Sequence, residues 1–129
     1  MTTLTRDEAN IWLERYGRAW ETGDAEGILE LFTIDASYDE TPFATNLRGH
    51  DEIRQYWLDN ATHGQTDIAF GFEIWAVTDN QCLSHWTARF KQVDDGRTVE
   101  LDGAFRLLFE RGPSGEPLCN ALQEWWHER

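Results

Sequence analysis

The residues that decide the fold are QCLSHWTARFKQV (81–93), TVELDGAFRLLFER (98–111) and LCNALQEWWH (118–127), three runs in which side chains of unlike polarity alternate. Alternation with a period of two is the mark of a strand that has two different faces. Asp95-Gly96 stands between the first two runs and is a hairpin dipeptide. Gly112-Pro113-Ser114-Gly115 joins the second to the third, and Asp79-Asn80 joins an earlier run, DIAFGFEIWAVT (67–78), to the first. The four runs predict a meander of long antiparallel strands. One face gathers Ile68, Phe70, Phe72 and Ile74, then Cys82, Ser84, Trp86, Ala88 and Phe90. The third and fourth strands add Val99, Leu101, Gly103, Phe105, Leu107 and Phe109, and Leu118, Asn120, Leu122, Glu124 and Trp126. On the outer face fall Trp75, Val77, Leu108, Ala121 and Trp125, more large apolar groups than a wetted sheet normally carries. A homodimer covering that outer face is therefore expected.

Upstream of residue 67 the period changes to that of helices. Thr5 followed by Glu8 has the form of a capping box. Ala9, Trp12, Leu13, Tyr16, Ala19 and Trp20 then make one apolar stripe, with Glu14, Arg15, Arg18 and Glu21 turned to water. Gly23 ends this helix in a left-handed position. Asp24 caps a second, shorter one whose apolar side is Ile28, Leu29, Leu31 and Phe32. A short extended piece, Ala36 to Glu40, stops before Thr41-Pro42. Gly49 opens a third helix, His50 to Asn60, with Asp51 and Glu52 in its first turn and Ile53, Tyr56 and Trp57 on its inner face. Three helices covering one face of a sheet make an α+β fold with space for a cavity between the layers.

The chain has 129 residues, which is one domain's worth, and no repeat or linker divides it. Its formal net charge of −13 repels phosphate backbones and anionic lipids, so neither nucleic acid nor membrane is an expected partner. No stretch approaches the ~20 apolar residues of a membrane span, and the N-terminus reads as no signal peptide, so a cytoplasmic protein is expected. Cys82 and Cys119 lie in predicted strands and belong to no metal-spaced set. The four histidines are scattered without i, i+4 spacing, so neither metal nor other cofactor is expected. Seven Trp and seven Phe are many for this length and suit an aromatic-walled pocket for a small apolar molecule.

The order of elements, with ETGDAEGILELFTIDASYDE (21–40), RGHDEIRQYW (48–57) and LQEWWHE (122–128), resembles the NTF2-like, or SnoaL-like, superfamily over nearly the whole chain. The resemblance implies a cone: three N-terminal helices on a curved, mostly antiparallel sheet. The first half is most similar to the ketosteroid isomerases. On that likeness Tyr16 takes the place of a tyrosine that donates to an enolate oxygen, Glu40 that of the carboxylate base, and Trp57 and Trp126 those of pocket-lining aromatics. The isomerases' second donor, a protonated aspartic acid, is matched here by Phe105. Loss of one such donor costs ~10²–10³ in rate, so efficient steroid isomerisation is not expected.

Glu124 stands out on the residues alone, because an inward acid between Leu122 and Trp126 needs a partner or a task. Tyr16, Glu40 and Glu124 are thus the candidate catalytic residues. Trp20, Trp57, Phe70, Phe72, Trp86, Phe105 and Trp126 are the candidate ligand-binding walls. Asp39 is the alternative to Glu40, since a one-residue error in strand phase exchanges the two. His85 is similar in placement to a strand histidine of dehydratases with this fold, although alternation puts it beside Arg89 and Lys91. The expected function is cofactor-free proton transfer, as in an isomerase, cyclase or dehydratase, on an apolar carbonyl- or hydroxyl-bearing molecule. The alternative is a ligand-binding or dimerisation module without chemistry.

Overall fold

The computed structural model describes residues 3–44 and 46–129. Helix α1 is Arg6–Glu21, opened by the capping box: the Glu8 N–H donates to the Thr5 hydroxyl and the Glu8 carboxylate accepts from the Thr5 N–H. Gly23, at φ +64°, turns the chain into α2, Ala25–Leu29, where the Asp24 carboxylate accepts from the Gly27 N–H. Strand β1 (Phe32–Asp39) and the two-residue β2 (Leu47–Arg48) precede α3 (Gly49–Trp57), which runs on into a π-helical turn, Leu58–Thr62. The meander then follows as β3 (Gln65–Thr78), β4 (Gln81–Gln92), β5 (Thr98–Arg111) and β6 (Pro117–Glu128).

All six strands form one sheet in the order β2-β1-β6-β5-β4-β3, with its two ends unjoined. Every pairing is antiparallel except β1 with β6, which is parallel. Helix α1 packs chiefly on β3 and α3 on β1. The core is aromatic: Trp12, Tyr16, Phe32, Tyr38, Trp86 and Phe105 are each at most 2% exposed.

Several expectations are corrected. Leu31 and Phe32 do not extend the second helix; the Cys119 N–H donates to the Leu31 carbonyl at 2.9 Å, and Phe32 already pairs with Cys119. Helix three stops at Trp57, where the wider turn takes over. Of the four register shifts in the sheet, two move residues between its faces against expectation. One between Ile74 and Ala76 turns Val77 inward against the core instead of outward. Another, between Leu108 and Phe109, puts Cys119 in the core and leaves Asn120 to bond Glu110 at the surface. An extra residue in one strand bends it and exchanges faces beyond that point. Trp75 and Trp125 do lie outward, 55% and 48% exposed.

Candidate functional site

Helices and sheet enclose a cavity of about 150 Å³. Helix α1 contributes Tyr16 and Trp20 to its wall, and α3 contributes Tyr56 and Trp57. Tyr38 comes from β1 and Glu40 from the residue that follows its last one. Asn60 and Ala61 come from the π turn. Trp86 and Phe90 on β4, Leu101 on β5, and Glu124 and Trp126 on β6 complete the interior, with Gln65, Gln92 and Glu128 at the strand ends.

Glycines set the packing behind this wall. A Cβ on Gly17 would come within 2.6 Å of the Phe70 ring, so α1 lies directly on that ring. A Cβ on Gly103 would meet the Trp86 indole at 2.7 Å, so only glycine lets that indole lie flat on β5. Trp86 in turn stacks on Phe105, ring centroids 5.2 Å apart.

The polar groups inside are few and aimed at one another. The Tyr16 and Tyr38 hydroxyls form a hydrogen bond of 2.8 Å. Burial raises both phenols well above their ordinary range, with the charge of Glu124 acting in the same direction. Tyr56 is raised too, by burial first and then by the charges of Glu124 and Glu40. Glu124 is 7% exposed. Burial, and after it the charge of Glu40, pushes its carboxyl well above the usual carboxylate range. The Trp20 indole donates to the Gln65 amide oxygen at 2.8 Å, whereas those of Trp57 and Trp86 meet no acceptor among the described residues. The site therefore holds a buried carboxyl group whose ionisation is opposed by burial, a hydrogen-bonded phenol pair and a second carboxyl group within one aromatic chamber. That is the equipment of general acid–base chemistry. No group of three or more His, Cys, Asp or Glu among the described residues is arranged to hold a metal ion.

The SnoaL-like domain matches this sequence over residues 13–113. The chain belongs to the SnoaL-like domain family. No curated protein matches it. Among solved structures, this SnoaL-like domain is similar to a conserved protein from Planctomyces limnophilus, with a TM-score of 0.82 at 16% identity and 95% of each chain covered. It is also similar to SalBIII, an epoxide hydrolase/cyclase-like enzyme with a role in pyran ring formation in the polyether salinomycin. There the TM-score is 0.76 at 18% identity, over 94% of this chain and 92% of that one. An NTF2-like superfamily protein from Salmonella enterica serovar Typhimurium gives 0.77 at 16% identity, over 92% and 88%. At such identities the likeness establishes the NTF2-like α+β fold.

Of the residues singled out in the sequence, Tyr16, Glu40 and Glu124 all line the one cavity, together with Trp20, Trp57, Trp86 and Trp126. Asp39 does not; it accepts from Arg48 at 2.9 Å and faces a neighbouring hollow beside Gln123 and Trp125. His85 lies on the outer face, where it bonds Asp102 at 2.9 Å and stacks on Trp75. Phe70, Phe72 and Phe105 are not wall residues. Phe70 and Phe105 pack behind the wall against Tyr16 and Trp86, and Phe72 packs on Phe70, because α1 covers that side of the sheet. Sequence reasoning missed Tyr38 and Tyr56 as site residues. The two-residue step from Tyr38 to Glu40 and the place of Tyr56 on the inner face of α3 are the signals that mark them.

Proposed function

We propose that this SnoaL-like domain is a small-molecule enzyme that moves protons between its own side chains and a ring-sized ligand bearing a carbonyl or hydroxyl. The observation that carries the proposal is Glu124: a buried acid whose ionisation burial opposes, lining the same aromatic cavity as a second carboxyl group, Glu40. Glu124 donates a hydrogen bond to the ligand oxygen. It stands across the strand pair from Phe105, so the acid missing from β5 enters the chamber from the adjacent strand. The Tyr16–Tyr38 pair spends one of its two protons on its own bond and keeps the other for the ligand. Glu40, half-buried at the end of β1, takes a proton from the carbon or water beside that oxygen and returns it. The cavity has about the volume of one that takes up benzene, which suits one ring rather than a steroid nucleus. The acid–base kind of chemistry also fits the company of SalBIII. We further propose a homodimer through the outer sheet face, supported by the exposed Trp75 and Trp125.

Exchange of α-protons for deuterium in a panel of ring-sized ketones, followed by proton NMR, tests the chemistry. Wild-type protein is expected to catalyse exchange on at least one of them. Glu40→Gln is expected to lower the rate by about 10²–10⁴-fold, and Glu124→Gln by about 10²–10³-fold. Exchange unaffected by either change overturns the proposal. Binding without exchange leaves a ligand-binding module in its place.

A further inference from the structure

We infer that the ligand this cavity selects is a small monocation, a molecule whose alkylated ammonium group is held against the tryptophan faces beside the Glu40–Glu124 pair. The inference rests on the preceding proposal for the place of the ligand, not for the chemistry performed on it.

The wall chemistry points one way. Four of its residues are tryptophans (Trp20, Trp57, Trp86 and Trp126) and three are tyrosines, so aromatic faces surround the space. Such faces carry negative quadrupole charge and attract ammonium groups, tryptophan most strongly. The charged wall residues are Glu40, Glu124 and Glu128; no Lys, Arg or His joins them. Glu128 at the rim is engaged by Arg97 at 3.3 Å, which leaves the inner pair. An anion would enter against those carboxyl groups with no cation to receive it. A neutral ligand can accept a hydrogen bond from the Glu124 carboxyl, yet it brings no positive charge to the tryptophan faces or to the acidic wall. A buried carboxyl without an opposite charge is costly, and among the described residues neither a hydrogen bond nor a charge of opposite sign acts on Glu124.

Charge and size then narrow the class. Acidic and no basic side chains on the wall, in a space with room for one ammonium group, are the complement of a monocation. A cavity of about 150 Å³ accommodates a trimethylammonium-sized head, with a short substituent directed to the mouth. The chain's net charge of −13 draws cations toward the protein.

Choline and its uncharged isostere 3,3-dimethylbutan-1-ol make the decisive pair, because they share shape and hydroxyl and differ in charge. Titration calorimetry on the wild-type protein is expected to show choline binding at least about 10-fold more tightly than the alcohol. Trp126→Leu, at a half-buried wall position, is expected to reduce that ratio. Should Trp126→Leu fail to fold, the wild-type ratio decides alone. Equal affinity, preference for the alcohol, or no binding of choline overturns the inference. Choline preference without exchange in any ketone sinks the proton-transfer proposal only. Exchange without choline preference sinks this inference only.

Discussion

Replacing Glu124 by glutamine keeps the shape of a side chain that is 7% exposed and removes its titration. Burial and the charge of Glu40 raise the native carboxyl well above the ordinary 4.5, whereas the unfolded chain releases that proton near the ordinary value. Between the two values the native state holds one proton more than the unfolded state, so wild-type stability falls as pH rises. The slope for one proton is about 1.4 kcal/mol per pH unit. Glutamine has no such slope. Urea denaturation of both proteins, in steps of about one pH unit upward from about 4.5, is therefore expected to show a gap that opens in favour of Glu124→Gln by about 1.4 kcal/mol per unit. The gap levels off once the native carboxyl titrates. An effect of this size over two steps exceeds the extrapolation error of about 10–15% on a domain's stability. Parallel curves, or a gap opening in favour of the wild type, would refute the claim that burial holds Glu124 neutral.

Tyr38→Phe deletes one half of the 2.8 Å hydroxyl pair and strands the buried Tyr16 hydroxyl. A loss of about 1–3 kcal/mol is expected in the same denaturation assay, and an unchanged midpoint would show that the pair contributes nothing. Glu8 lies in the first turn of α1, where its hydrogen bond from Arg111 holds its carboxyl down at about 2. Its native value is depressed, so its contribution is present above about 4.5 and lost as pH falls through about 2. Glu8→Gln should melt below the wild type at neutral pH, with the two melting temperatures converging toward pH 2; a difference that persists in acid contradicts the ion pair's part. On the outer face, sedimentation should find a dimer that the double change Trp75→Glu and Trp125→Glu converts to monomer. A wild-type monomer at micromolar concentration removes the proposed interface.

Local rules carried much of the architecture. Thr5 and Glu8 mark the start of α1, Gly23 its end, and alternation through β4 and β5 gives the inner face residue by residue, because each signal is confined to a few neighbours in the chain. What escaped them depends on distant partners. Phe32 reads as the end of an apolar helix stripe until β6 offers Cys119 as its parallel neighbour. The inward turn of Val77 and Cys119 comes from two one-residue irregularities with no mark in composition. The candidate site divides the same way. Glu124 is legible because an acid on an apolar face is conspicuous wherever the face points, whereas Tyr16 and Glu40 enter through the family likeness. Phe70 and Phe105 were placed on the correct face, yet alternation does not tell a ring that meets α1 from one that meets open space. That distinction lies in the layer above the sheet, at Gly17 against Phe70. Tyr56 reads from sequence as helix packing, and only the packing of α3 on β1 brings it under the charges of both carboxyl groups.

The central claim is that Glu124 keeps its proton inside a ligand cavity under the sway of Glu40. Carbon NMR of glutamate side-chain carboxyls, with Glu124 assigned by its disappearance in Glu124→Gln, reads that proton directly. The expected titration midpoint lies well above the ordinary 4.5 and moves down in Glu40→Gln, since the charge of Glu40 is part of what raises it. A midpoint at or below the ordinary value, indifferent to Glu40, would contradict the account.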